Sequence, residues 1–279
     1  MVIINLDKSN STREKVKEPY IRLPAPHSHI IITSPRVVHT PQKGQQENED
    51  IIPPESDIEA ALTALNDDRV HKYLESPPYP YKREHALAFH RRMYDDTQRI
   101  LQHPVPPPED GEGEWLYDGC PFRDIRDTSL SPAAGAGTEE EVAAQAPKVG
   151  DIFISRYPFY ELPVDSEQRK KAQEYNDSLP VGHVNLVWGL GFWLSPSHHR
   201  KGIMSAVLGT LITEWAIPRM NAQTIKSSAF LGNQSSVGVV QKCGFVLECT
   251  LEKASADMPE YKYGGGGRQD IVVLKWVRD

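Results

Sequence analysis

Proline sets the first limit on this chain. It fixes its own φ, lacks an amide donor and interrupts both helices and strands. Of the 23 prolines, 19 fall in residues 1–163 and only 4 after them. Glycine leans the other way, with 7 before residue 164 and 12 from there on. A continuous hydrogen-bonded core is therefore expected in the second half, and loop-broken structure in the first. The 279 residues allow one large domain or two small ones.

Charge and cysteine content narrow the function. The formal net charge is −7, whereas nucleic-acid binders carry a basic excess to neutralise phosphates. Three cysteines (Cys120, Cys243 and Cys249) form no CxxC pair, which argues against a disulfide framework and for a reducing compartment. The apolar run after Met1 is too short for a signal-peptide core, and the stretch Val181–Leu194 is too short to span a bilayer. The expectation is a soluble, cytoplasmic protein that engages neither nucleic acid nor membrane.

Along the chain, residues 1–29 read as a loose arm. Short β-type runs follow at 30–33 and 36–39. Ser56 and Glu59 fit a capping box that opens a helix carrying Ile58, Ala61, Leu62 and Leu65. A second helix is expected over about 82–101. Strands are expected at 122–126, 151–157, 184–194, 224–230, 245–251 and 271–277, with Gly189 and Gly191 suggesting a bulge. Helices are expected at 202–218 and 233–243, the first burying Ile203, Val207, Leu211 and Trp215. Residues 103–119, 129–148 and 163–180 read as loop insertions, the second being the best candidate for disorder. The order of elements gives an α/β or α+β fold with a mixed sheet.

The chemistry concentrates in Trp193-Leu-Ser-Pro-Ser-His-His-Arg-Lys-Gly202-Ile-Met. A strand ends, a basic loop follows, and a glycine opens a helix. The first helix amides lack internal partners and sit at the positive end of the helix dipole, which makes an anion cradle. Gly202 lets backbone approach a pyrophosphate, and Arg200 and Lys201 add charge. An ordinary strand–turn–helix corner with surface basic residues is the plainer alternative. The segment is not a P-loop, and GxGxxG is absent. His85 and His90 lack the i, i+4 spacing of a metal pair, and no metal is expected.

His199-Arg-Lys-Gly202-Ile-Met204 resembles the [Q/R]-x-x-G-x-[G/A] motif of the GNAT superfamily of N-acetyltransferases. Gly232-Asn-Gln-Ser-Ser236 followed by Lys242-Cys-Gly-Phe245 resembles its N-x-x-S and K-x-G-F region, and Phe192-Trp-Leu-Ser-Pro196 before the loop also fits. The combination looks like the RimJ/RimL-like branch, that of the ribosomal-protein N-terminal acetyltransferases. These motifs cover about residues 181–250. The resemblance implies one domain over 30–279 with a mixed, mostly antiparallel sheet, flanked by helices and splayed at the coenzyme-binding strand. It implies acetyl-coenzyme A as cosubstrate and an amine acceptor, a protein N-terminus or a small molecule. Phe192, Trp193, Leu194, His199, Arg200, Lys201, Gly202, Ile203, Met204, Ser205, Asn233, Ser236 and Lys242 would contact the coenzyme.

By the same resemblance, a backbone N–H near Leu194 would hold the oxyanion, and the Ser236 hydroxyl would hydrogen-bond the departing sulfur. Capping of the helix by Ser235 or Ser236 is the plain alternative, and Asn233 is either a cap, a pantetheine contact or both. The sequence departs from the pattern at His199 and Met204. It also lacks the glutamate that the family often carries on the strand before the loop, since Trp188-Gly189-Leu190-Gly191 holds no carboxylate. The general base is thus unassigned, with His183 a candidate and Glu214 unoriented. That missing glutamate keeps a second reading open, a non-catalytic module of the same fold that binds coenzyme A or a protein partner.

Overall fold

A computed structural model describes residues 19–38, 51–107 and 114–278. Eight strands form one sheet: β1 (Tyr20–Arg22), β2 (Ile30–Thr33), β3 (Asp124–Asp127), β4 (Lys148–Arg156), β5 (Val187–Leu194), β6 (Thr224–Phe230), β7 (Val246–Leu251) and β8 (Ile271–Val277). Their spatial order is β1-β2-β3-β4-β5-β6-β8-β7. Every neighbouring pair is antiparallel except β5 and β6, which run parallel. That one parallel pair is short. It joins Val187, Trp188 and Gly189 to Thr224, Ile225 and Lys226, although the two strands run on to Leu194 and Phe230. The sheet therefore splits into a V whose vertex is the Gly189–Lys226 pair.

The pleat decides what enters the V. Tyr157 N–H donates to the carbonyl of Val187, and Ser195 N–H donates to that of Val149. The polar groups of odd-numbered β5 residues thus face β4. Those of Leu190, Phe192 and Leu194 face the opening by alternation. Side chains also alternate: Trp188, Leu190 and Leu194 join the main core with Ile152, Ile154 and Ile225, under the long helix that follows β5. Gly189, Gly191 and Trp193 face the other side. The glycines make no bulge there, since the β4–β5 register is unbroken. They make room instead: a Cβ at Gly191 would lie 2.5 Å from the Phe153 ring, and one at Gly189 would lie 2.9 Å from Tyr157.

The helices are α1 (Glu55–Leu65), α2 (Asp68–His71), α3 (Arg83–Gln102), α4 (Glu139–Ala144), α5 (Glu167–Ser178), α6 (Ile203–Leu211), α7 (Ile217–Met220) and α8 (Gln234–Gln241). A wide turn over Ile212–Ala216 joins α6 to α7, and Ile203, Val207, Leu211 and Trp215 are all buried. On the opposite sheet face, Ile58, Leu65, Val70, Tyr81 and Ala86 form a second cluster with Trp193 against it.

Several expectations for the first half give way to structure. Tyr20–Arg22 is a strand rather than loose arm, because Ile21 and Leu23 insert into the core; residues 1–18 lie outside the described residues. The Ser56 capping box is absent. Helix α1 is capped two residues earlier, by Pro54, and Glu55 pairs with Arg83 instead. Arg36–Val38 is not a strand, since Arg36 donates to the carbonyls of Ala143, Ala144 and Ala146; His39 lies outside the described residues. Within 129–148, the expected disorder is replaced by α4, capped reciprocally by Thr138 and Glu141 and packed through Ala143 and Ala146 onto Ile31. Within 163–180, α5 is anchored by buried Asn176, which exchanges two 2.9 Å hydrogen bonds with the backbone of Val187. In 103–119, Val105 and Leu116 pair as a bridge, while 108–113 lie outside the described residues.

Candidate functional site

The loop from β5 to α6 is held on both sides. Buried His198 places Nε2 3.0 Å from the Asp127 carboxylate and Nδ1 2.9 Å from the Ser197 hydroxyl. Burial raises the Asp127 pKa, yet the bonds from His198 and Ser129 outweigh it and hold it below its ordinary value. His199 Nε2 donates to the Leu194 carbonyl at 2.7 Å. Arg200 at φ 61° and Gly202 at φ 79° then reverse the chain through left-handed conformations. For glycine this conformation carries no steric penalty.

Gly202 is the N-cap of α6, and its carbonyl accepts the first helical bond from Ala206. The amides of Ile203, Met204 and Ser205 therefore open the helix without internal partners. Arg200, Lys201 and Gly202 are exposed, whereas Ile203 and Met204 are buried. Sequence reasoning missed one neighbour of this cradle. His27, from the β1–β2 turn, places Nε2 3.5 Å from where a Gly202 Cβ would stand. No local spacing links the two positions.

The β6 arm of the V leads to α8. Asn233 is its cap, with Oδ1 accepting from Ser236 N–H at 3.1 Å, so the capping role does not fall to Ser235 or Ser236. Ser205 Oγ donates to the Val239 carbonyl at 3.4 Å, and Cys243 Sγ donates to the Ser205 carbonyl at 3.3 Å. These bonds tie α8 to α6. Lys242 is exposed at the C-cap of α8. Phe192 and Leu194 pack with the main core, while Trp193 lies on the opposite face with Lys148 Nζ 5.8 Å from its ring centre. The fold thus gathers the cradle residues and brings α8 beside them. His183 is not among them. It sits in the turn before β5, at the far end of that strand from Leu194, its Nδ1 accepting from Asn185 N–H at 3.1 Å. Glu214 is exposed on the wide helical turn.

Two charged clusters on the other sheet face had no sequence signal. In the first, Arg126 donates to Asp57 at 2.8 and 2.5 Å, and to Asp124 at 2.8 Å. Lys148 joins Asp124 to Asp151. Burial works against the Lys148 ammonium, but Asp124 and Asp151 outweigh it and raise its pKa. The adjoining cavity is about 30 Å³, room for about one water. This cluster fastens α1 to the sheet. In the second, Lys226 Nζ lies 2.7 Å from both Glu161 and Glu248 at the vertex of the V. Among the described residues no group of three His, Cys, Asp or Glu is placed to hold a metal ion, and no helix is long and apolar enough to cross a membrane.

Residues 149–246 match a family model described as the acetyltransferase (GNAT) domain. Among solved structures, the chain resembles a GNAT-family acetyltransferase from Bacillus anthracis at 13% identity, covering 92% of this chain and 98% of that one, with a TM-score of 0.51. It resembles Mycobacterium smegmatis RimJ, in complex with CoA-disulfide, at 13% identity, 93% and 86% coverage and a TM-score of 0.51. RimL, the ribosomal L7/L12 α-N-protein acetyltransferase in complex with coenzyme A, shares 16% identity over 93% and 98%, with a TM-score of 0.50. These likenesses establish a shared fold. A sequence search of curated proteins finds no match.

Proposed function

We propose, from the premise that residues 149–246 are an acetyltransferase (GNAT) domain, that the chain transfers acetyl from acetyl-coenzyme A to a primary amine. The observation that carries this reading is the left-handed Gly202 cradle standing at the open end of the split between β5 and β6. The pyrophosphate is bound by the opening amides of α6, with Arg200 and Lys201 supplying positive charge and His199 and His27 standing beside them. The pantetheine arm lies between β5 and β6 as an inserted strand. Its acceptors meet the N–H groups of Leu190, Phe192 and Leu194, which otherwise have no strand beside them.

The amine must lose a proton before it attacks, because a free lysine-type amine is mostly protonated near neutrality. Attack on the thioester carbon forms a C–N bond and an oxyanion. A β5 N–H, that of Leu194 or of Phe192 or Leu190 nearer the vertex, stabilises the oxyanion, one such donor contributing about 3–4 kcal/mol. The C–S bond then breaks, and the Ser236 hydroxyl donates to the departing sulfur. Holding both substrates in line contributes up to about 7–11 kcal/mol, the largest share of the barrier reduction.

The acceptor is a protein N-terminus, as in the RimJ/RimL-like branch, or a small-molecule amine. A panel of Ser-, Ala- and Met-led octapeptides, polyamines and aminoglycosides, scored by mass spectrometry for one added acetyl group, identifies its class. Tight coenzyme binding with neither free thiol nor acetylated product across the panel supports the non-catalytic module instead. Replacing Ser236 by alanine removes one hydrogen bond to a developing anion, worth about 1.5–3 kcal/mol. Turnover is expected to fall about 10- to 100-fold, at 1.36 kcal/mol per decade, with acetyl-coenzyme A affinity within threefold of the parent. Unchanged turnover removes Ser236 from the mechanism.

A further inference from the structure

We infer that Glu161 receives the acceptor ammonium at the vertex of the V and takes its proton, supplying from a loop the carboxylate that β5 lacks. This rests on the acetyl-transfer reading above. The cradle and α6 occupy one face of the sheet, so the coenzyme arm enters the V from that side. An acceptor can reach the thioester only from the opposite face. There the Tyr157 and Phe153 rings cover Gly189 and Gly191 in place of side chains of their own, and the vertex partner of Gly189 is Lys226.

Lys226 holds two carboxylates where one would neutralise it. Its Nζ lies 2.7 Å from Glu161 Oε1 and 2.7 Å from Glu248 Oε2, and 5.6 Å from the centre of the Tyr157 ring. Glu161 Oε2 and the Tyr157 hydroxyl are buried with no close hydrogen bond among the described residues, and they face each other: burial and the Glu161 carboxylate together push the Tyr157 pKa up. A buried polar atom left so costs about 1–3 kcal/mol, more when charged. A donor arriving with the substrate removes that cost. Lys275 approaches Glu248 at 3.9 Å, and the Cys249 thiol, its pKa raised by burial and by Glu248 and Glu161, completes the titratable groups facing the carboxylate. Lys226 and Lys275 balance Glu161 and Glu248 in charge, so what the cluster offers an ammonium is the unpartnered Glu161 Oε2 and not a net negative charge.

The loop that carries Glu161 is built to hold it. Phe159 adopts φ 55°, a strained conformation for a bulky residue that persists only where the surroundings impose it. Arg169 and Gln173 of α5 both donate to the Pro158 carbonyl at 2.9 Å, and Leu162 N–H closes the turn onto Phe159 at 3.1 Å. Thus the segment expected to be an excursion clamps the carboxylate at the vertex.

The proton balance is complete. One proton passes from the ammonium to Glu161 Oε2, and the neutral nitrogen attacks the thioester carbon. As the C–S bond breaks, the second proton leaves the nitrogen and ends on the thiol. Glu161 returns its proton to solvent.

The test is Glu161→Gln, assayed with the amine panel above across pH 6.5–9.5, with coenzyme affinity and thermal melting as controls. At pH 7 the expected loss in kcat is about 10²–10⁴-fold, the usual contribution of acid–base catalysis, with coenzyme affinity unchanged. The loss should shrink as the pH approaches the acceptor amine's own pKa, because solvent then removes the proton; a purely structural role would give a constant deficit. Glu161→Asp, which keeps the charge on a shorter arm, should lie between the two, and it serves alone if the glutamine variant fails to fold. An active parent whose Glu161→Gln variant keeps kcat within threefold at pH 7, or shows a pH-independent loss, overturns the role of Glu161. A parent that acetylates no amine overturns the transfer reading itself.

Discussion

Gly202→Glu should lose acetyl-coenzyme A binding beyond measurement at millimolar ligand while remaining folded. Two effects are superimposed, and Gly202→Ala separates them. Any L-residue at φ 79° adopts the left-handed region at a cost of about 1–2 kcal/mol, so both variants should melt earlier by a similar margin. Space is not the obstacle, since the nearest atom to a Cβ is His27 Nε2 at 3.5 Å. The alanine variant should therefore keep coenzyme affinity within about tenfold. The glutamate brings a carboxylate to where the pyrophosphate belongs. At about 4 Å and an effective dielectric of 20, two like charges repel by roughly 4 kcal/mol, which at 1.36 kcal/mol per decade is close to a further thousandfold. Calorimetric titration measures this directly. Thermal shift checks it independently, since ligand at 100 times Kd adds about 2.7 kcal/mol of stability. Equal affinity in the two variants would move the phosphate away from Gly202.

The cradle is legible in the sequence because its cause is local. A glycine after a strand, basic neighbours and apolar residues every fourth position specify the turn, the charge and the buried face of α6 within about twenty residues. The same holds for β6 and β8, which begin and end at the residues expected for them. The unread parts depend on partners distant in sequence. Tyr20–Arg22 is a strand because β2 accepts it, and α5 matters because Asn176 and Arg169 hold the start of β5 and the Glu161 loop. Helix α4 is a different failure. Thr138 and Glu141 carried a capping-box spacing, and the Ala/Gly/Pro composition around them obscured it. At the site, His183 was drawn in by residue type alone, whereas geometry favours Glu161, whose pairing with Lys226 leaves no periodic trace in sequence. The glycines at 189 and 191 were visible but misread: they clear room for Tyr157 and Phe153 instead of bulging the strand.

Arg126→Met should destabilise the chain by about 3–5 kcal/mol, the usual consequence of breaking a buried ion pair. Arg126 and Asp124 are 1% exposed and Asp57 is 4% exposed, so water cannot replace the lost guanidinium. Lys148 still serves Asp124 at 2.5 Å and Asp151 at 3.1 Å, which leaves Asp57 as the abandoned charge. The cost should therefore be recoverable at Asp57 specifically. In the double variant Arg126→Met/Asp57→Leu, at least half the lost stability should return, because two apolar side chains can replace a buried pair at little net cost. The pair also fastens α1 to β3 on the face that carries Trp193 and the Glu161 loop. Loosening it should raise the KM for the amine more than it weakens coenzyme binding, since the cradle stands on the other face of the sheet. Denaturant unfolding of the two singles and the double closes the cycle. A double variant no more stable than Arg126→Met would mean that the guanidinium acts mainly through other partners such as Asp124, Thr33 and the Ala146 carbonyl, at 2.8, 3.0 and 3.3 Å, and not by neutralising Asp57.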